Sequence, residues 1–599
     1  MRKAALLLLL PLFGCDPALK VEPPLQTAPT ATAATWTPQQ VREILDRTES
    51  TRLAPDLSLL SVGERIAVGK LLEVGQIFQD LYELQRHRSA LSARASIERS
   101  DDPAAADLRT LYRLSQGPIA TTLDNRREPF LAVEPAPPGK NVYPWDLTRE
   151  EFEAYLSAHP DQRAELTDLR SVVRRQDRAS LDTDADALRR HPVLDSLHPG
   201  LRARLGMLAA RPDGTQLYAV PYSVAYADEM VRAHALLEEA ADAVEPDDSE
   251  FARYLRNRAR DLLANDYESG DAAWITGRFG DLNAQIGAYE TYDDELLGTR
   301  AFYGFSLLAT RREETEALRR GMQGLQEIEN ALPYDRHKRI REDIPVGVYD
   351  VIADFGQTRG GNTATILPNE PYLARRYGRT IMMRANILRS PEIFGAAGSG
   401  WRAAVAPGFA EHLTAEGQFQ RVLWHEVGHY LGVDRTSDGR ELDVALGADA
   451  NLLEEMKADL VSLFAAPRLR QRGYFDEAGL RAHYASGIHR TLQNNRPRRE
   501  QPYQSMQLMQ FNWFLDRGVL RFDSGTGRLS IDYGLYPAAV EALLREVLAL
   551  QDSGDPRRSD AFITRWTRWD EALHGRLAAA IRAQQRYRFR LFTYAALGE

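Results

Sequence analysis

The stretch VLWHEVGHYLG, residues 422–432, holds two histidines four apart, with a glutamate directly after the first. Leu423, Val427, Tyr430 and Leu431 fall at helical spacing, so the segment reads as a helix that Gly432 can end. Residues four apart on a helix share a face, which lets His425 and His429 offer two imidazoles to one zinc ion. Glu426 then points beside that ion, where it can take a proton from bound water. Gly428 is a poor helix former, tolerable where another backbone approaches closely or packing demands it. Twelve histidines in 599 residues make such a spacing possible by chance, so a third ligand has to decide.

That ligand stands just downstream, in NLLEEMKADLVSLF, residues 451–464. Asn451 can cap this helix, with Glu454 three residues on. At 100° per residue, Leu452, Met456, Leu460 and Leu463 share one side, flanked by Glu455 and Asp459. Glu454 falls nearly opposite, near Lys457, where a solvated ion pair is expected. Glu455 is therefore the better ligand and completes a His₂Glu set for one zinc per chain, with water in the fourth position. Asp459, one turn later, can accept the second ring N–H of a ligand histidine. In such a site the metal lowers the pKa of water, Glu426 removes the proton, and hydroxide attacks a polarised carbonyl. A second donor is needed for the oxyanion.

The pair HEVGH and EEMKAD (454–459) resembles the dipeptidyl peptidase III family, whose hallmark is a HExxGH helix followed by EExxAE or EExxAD. In that family the second glutamate of the latter motif is the ligand, which is Glu455 in this sequence. GAYETYDDELLG (287–298) and GGNTATILPNEPYLARRYGRTIMMRANIL (360–388) are similar to two further family blocks. The similarity runs in patches from about Tyr143 to about Gly518. It implies that Tyr292 stabilises the tetrahedral intermediate, and that Glu290 and Asn369 hold the substrate's N-terminal amine and backbone. Two departures stand out. HEVGH is one residue shorter than the commoner family form, and PYQSMQLMQFNWFL (502–515) lacks the histidine and arginine that the family carries near the substrate. The departures bear on cleavage specificity and on whether dipeptides are the product.

Outward from the site, the chain reads as mainly α with a minor mixed β component. The resemblance implies two lobes flanking a cleft, with zinc on the helical lobe. A mostly helical N-terminal lobe is expected over 37–340, with long helices at 226–264 and 311–331, and a zinc-binding catalytic region over 341–599. Short strands are expected at 216–226, 347–354, 362–368 and 379–387, and a hairpin around Gly525 and Gly527. GAAGSG (395–400) lacks the lysine and Ser/Thr of a phosphate loop and reads as a plain loop.

The N-terminus carries a different signal. MRKAALLLLLPLFGC has a basic start, a short apolar run and Gly14 before Cys15, the pattern of an export signal over residues 1–14. Its ending resembles a bacterial lipobox, which implies lipidation of Cys15, the sole cysteine. Residues 15–36, rich in Pro, Ala and Thr, read as a disordered tether, with order beginning at the capping box of Thr37 and Gln40. The formal charge of −10 offers no footprint for nucleic acid, and no later segment reaches the apolar length of a membrane span. The sequence thus leads to an expected zinc metallopeptidase, monomeric, acting on peptides and releasing dipeptides from their N-termini. It would be lipid-anchored in a bacterial envelope, facing the periplasm or exterior. Alternatives are a zinc hydrolase of other specificity and a non-catalytic peptide-binding lipoprotein, the latter disfavoured by the intact Glu426.

Overall fold

The computed structural model describes residues 34–340, 344–368, 370–498 and 501–599. The export signal, Cys15 and most of the tether lie outside the described residues. The elements that position the site, in chain order, begin with strand β1 (Thr48–Leu53) and helices α1 (Val62–Arg86), α2 (Ala227–Val244) and α3 (Ser249–Ala264). Strands β2 (Leu282–Glu290), β3 (Phe302–Thr310), β4 (Val346–Gly356), β5 (Ala364–Leu367) and β6 (Thr380–Arg384) follow. Helices α4 (Ala415–Gly428), α5 (Asp449–Gln471), α6 (Glu477–Arg490), α7 (Pro502–Asp516) and α8 (Tyr536–Ser553) come next, and strand β7 (Phe589–Tyr594) comes last.

The fold is mainly helical around one mixed sheet of order β2-β3-β4-β6-β5, antiparallel except between β4 and β6. The sheet is a shared wall. In β6, Ile381 and Met383 enter the core built with α4–α8, whereas Met382 enters the core built with α1–α3. Leu318 to Ile328 pack into the second core and Tyr349 to Phe355 into the first, so the two cores interleave around residue 340.

Three strands of this sheet match the expected segments near 347–354, 362–368 and 379–387, but the last stops at Arg384 and turns into a short helix, Ala385–Leu388. Strands β2 and β3 lie inside the segment read as mostly helical. Both are covered on both faces, so neither shows the alternation of a half-exposed strand. The expected helix over 226–264 is two helices. The chain breaks at Glu245-Pro246-Asp247-Asp248, where Asp248 accepts the Phe251 N–H and starts α3. The expected helix over 311–331 likewise divides into Arg312–Met322 and Leu325–Glu329 at Gly324, whose φ is +83°.

GAAGSG is not a loop. It lies within helix Pro391–Ala404, where Gly400 is buried and faces Ile581 of a C-terminal helix. Order also begins before Thr37, since Trp36 is buried against Phe130 with ring centroids 6.2 Å apart. Among the described residues no helix is long and apolar enough to cross a membrane.

Candidate metal centre

Helix α4 starts at Thr414, whose hydroxyl accepts the Gly417 N–H. Two glycines then set how closely it lies against its neighbours. A Cβ on Gly428 would stand 2.6 Å from the Ala458 carbonyl oxygen of α5, and one on Gly417 would stand 2.6 Å from that of Ala482 in α6. Backbone contact at Gly428 brings His425 and His429 onto Glu455.

His425 Nε2 lies 3.3 Å from Glu455 Oε2, and His429 Nε2 lies 3.8 Å from the same oxygen. One ligand atom from each of the three residues falls within 4.8 Å of the others. These three atoms are buried and have no hydrogen-bond partner. Buried polar atoms left unpaired are costly, and three that converge fit a cation that accepts electron pairs from all of them.

The outward ring nitrogens are held. His425 Nδ1 is 2.6 Å from Asp459 Oδ1, and His429 Nδ1 is 3.1 Å from Glu454 Oε1. With each Nδ1–H donated to a carboxylate, each Nε2 lone pair faces inward, the tautomer a metal requires. Burial pushes the His425 imidazole down to about 3 against the pull of Asp459, so the ring is neutral at physiological pH.

Glu454 departs from the solvated pair expected of it. It does meet Lys457 Nζ at 2.7 Å, but the same oxygen meets His429, and its other oxygen accepts from Gln551 Nε2 of α8 at 3.2 Å. Because α5 is surrounded by helices, the side expected to face water faces α8 instead, and the Lys457 side chain is buried.

Asp459 sits in a cage. Besides His425 it accepts from Arg421 Nη1 at 3.4 Å, Arg490 Nε at 3.4 Å and Gln510 Nε2 at 3.3 Å. Burial alone would raise its pKa, but Arg490, His425 and Arg421 outweigh burial and hold the carboxyl well below its usual range. Glu426 is buried next to the trio, and burial pushes it up to about 8 against Arg421 and Arg490. A carboxylate near neutrality in proton affinity suits a group that takes a proton and gives it back. The second oxygen of Glu455 accepts from Tyr503 OH at 3.4 Å, at the start of α7.

Sequence reasoning missed Tyr503, Arg490 and Gln510, which come from helices far along the chain. Arg421 left a signal, standing four residues before His425 on the same helical face.

The remaining candidates come from earlier in the chain than the trio. Glu290 ends β2, and Tyr292 follows in a turn with 51% of its surface exposed. Among the described residues no hydrogen bond or ion pair joins Tyr292 to His425, Glu426, His429 or Glu455. Asn369 lies outside the described residues. Its neighbour Glu370 meets Arg170 Nη2 at 2.5 Å, and Arg170 Nε donates to the Ala288 carbonyl at 2.9 Å. The segment after Asn369 is thereby tied to the strand that carries Glu290.

No family model matches the chain. Among curated proteins it is 25% identical over 450 residues to Nudix hydrolase 3 of Arabidopsis thaliana, a match covering 72% of this chain and 54% of that protein. The chain thus spans about half the length of the curated relative it matches. Among solved structures it is similar to DPP III from Caldithrix abyssi, with a TM-score of 0.77 and 24% identity over 92% of this chain and 99% of that one. It is also similar to dipeptidyl-peptidase III from Corallococcus sp. strain EGB, with a TM-score of 0.71 and 22% identity over 94% and 98%. The chain has the two-lobed dipeptidyl peptidase III fold.

Proposed function

We propose that this chain, with its dipeptidyl peptidase III fold, is a zinc-dependent metallopeptidase that releases dipeptides from peptide N-termini. One observation carries the reading: the convergence of His425 Nε2, His429 Nε2 and Glu455 Oε2, buried and unpartnered, beside Glu426. These three residues would hold one zinc ion, which when bound supplies a Lewis acid that acidifies water and polarises a carbonyl.

The chain's own groups do the rest. Asp459 and Glu454 fix the two imidazoles, and Tyr503 fixes Glu455. Glu426 takes the proton of the attacking water and returns it to the leaving amine. Tyr292 donates its hydroxyl to the developing oxyanion, and the exposed ring reaches the trio when a substrate draws the two lobes together. Glu290 pairs with the substrate's ammonium group, and Asn369 holds its backbone. The fold of peptidases at about a quarter identity supports this reading.

A second reading, a zinc hydrolase of other specificity, is favoured by α7, which offers Tyr503 but neither histidine nor arginine. The deciding experiment is metal analysis of the detergent-solubilised chain together with a panel of dipeptidyl and aminoacyl fluorogenic substrates. About one zinc per chain, with dipeptide release abolished in Glu426→Gln, is the expected result. Zinc without dipeptide release would favour the second reading, and absence of zinc would overturn the site.

The chain is further proposed to act as a monomer held on a bacterial envelope membrane by lipid on Cys15, facing the periplasm or exterior. Multiple acyl chains on one cysteine suffice for stable anchoring. Labelled palmitate should enter the wild-type chain and not Cys15→Ser, which should move to the soluble fraction.

A further inference from the structure

A cavity of about 1120 Å³ is lined by residues of α4, α6 and α7, helices that also carry groups of the metal site, and by residues of β1 and β7. From α4, Gln418 and Arg421 line it, and Arg421 stands one helical turn before His425 on the same face. From α7, Gln504 and Gln507 line it, next to Tyr503 and Gln510, which hold Glu455 and Asp459. The three ligands and Glu426 are not among its lining residues; Arg421 and Arg490 connect it to the site through Asp459, which holds His425.

The charge of the lining is lopsided. Five arginines face two glutamates among the described residues, and Glu49 is already paired with Arg590. Arg421 is only 6% exposed and makes, among the described residues, a single hydrogen bond, the 3.4 Å contact to Asp459. Asp459 is shared with Arg490, Gln510 and His425, and both terminal nitrogens of Arg490 are without a partner. Asp459 is thus the carboxylate that hydrogen-bonds both buried guanidiniums, and Glu426 acts on them only through its charge. Burial and the neighbouring Arg490 charge pull Arg421 down to about 10, against Asp459 and Glu426. A buried guanidinium with donors to spare is satisfied by an anion, and its planar fork matches a carboxylate. The glutamines beside it match the donors and acceptors of a peptide backbone.

We propose that Arg421, with Arg490 behind it, recognises a carboxylate of the peptide substrate in this cavity, so that the chain favours peptides carrying a carboxylate close to the scissile bond. The carboxylate comes either from the C-terminus of a short peptide or from an acidic side chain. The proposal rests on the metallopeptidase reading for its substrate, but it can be tested by binding alone.

The experiment compares tetra-alanine with its C-terminal amide, and Ala-Ala-Asp-Ala amide with Ala-Ala-Asn-Ala amide, on the full chain. In at least one pair the carboxylate peptide should show a kcat/KM about tenfold or more higher, the size of one charge-assisted hydrogen bond. The first pair reports the terminal carboxylate and the second the side chain. In Arg421→Gln that ratio should fall to near one, and Arg421→Lys should restore part of it. Equal turnover within both pairs of the wild type would overturn the proposal. So would a ratio that survives Arg421→Gln while all rates fall together, since that pattern reports damage to the Asp459 cage alone.

If no peptide is turned over, calorimetric binding of the same four peptides to Glu426→Gln reads the same ratio without catalysis. A preference that disappears with Arg421→Gln supports the cavity assignment even then, and no preference overturns it. Should Arg421→Gln fail to fold, Arg490→Gln is the second variant and should reduce the ratio at least threefold.

Discussion

Helices α4 and α5 bury their chemistry, whereas the turn after β2 displays it. His425, Glu426, Glu455 and Asp459 are each under 5% exposed, while Tyr292 is 51% exposed. The turn is nonetheless firmly built. Asp294 accepts the N–H groups of Leu296, Leu297, Thr299 and Arg300 and the hydroxyl of Tyr143, and Asp293 accepts from Tyr82 and Gln357. The backbone there is held by these bonds, while Tyr292 keeps half of its surface open to solvent. A metal needs ligands that are set before it arrives. A residue that meets a substrate entering and leaving needs a fixed root and an open face.

Breaking the buried half should cost most. Glu455→Ala or His425→Ala should leave less than about a tenth of a metal ion per chain and no detectable hydrolysis, read by mass spectrometry and a fluorogenic assay. Glu426→Gln should keep its metal and lose about 10³-fold in kcat. Breaking the exposed half should cost less and act differently. Tyr292→Phe should lower kcat about 10²-fold with metal content and melting temperature unchanged. A fall in metal content there would erase the distinction between the two halves.

A smaller effect tests how the buried half is assembled. Gly428→Ala must part α4 from α5, since its Cβ would stand 2.6 Å from the Ala458 carbonyl oxygen. The expected destabilisation is about 1–3 kcal/mol, read from the denaturant midpoint, with faster metal loss to a chelator. Smallest is Glu454→Gln, which removes the anion behind His429 and should weaken metal binding about tenfold in a competition assay.

The metal half was legible because its signal is local. The spacing within HEVGH and the position of Glu455 after Glu454 follow from the helix repeat alone. The pairing of Glu454 with Lys457 was legible too, but its bonds to His429 and Gln551 were not, because they depend on how α4 crosses α5 and on α8 covering the far side. Tyr503, Arg490 and Gln510 were hidden for the same reason: their meeting with Glu455 and Asp459 is a product of packing. In the fold, β2 and β3 gave no alternating pattern because both faces are covered, and the glycines of 395–400 lie inside a helix rather than in a turn. The helix breaks were readable in principle, since Pro246 and Gly324 stand at them.

Strands β1 and β7 pair in parallel, and Glu49 and Arg590 within them are 541 residues apart. During synthesis β1 emerges with no mate, and the residues that close the first core over it, Phe592 and Tyr594, follow only with β7. Until β7 follows, the β1 edge has no mate in this sheet. A product cut short before β7 would leave that edge bare, the kind of surface on which strand-to-strand aggregation starts.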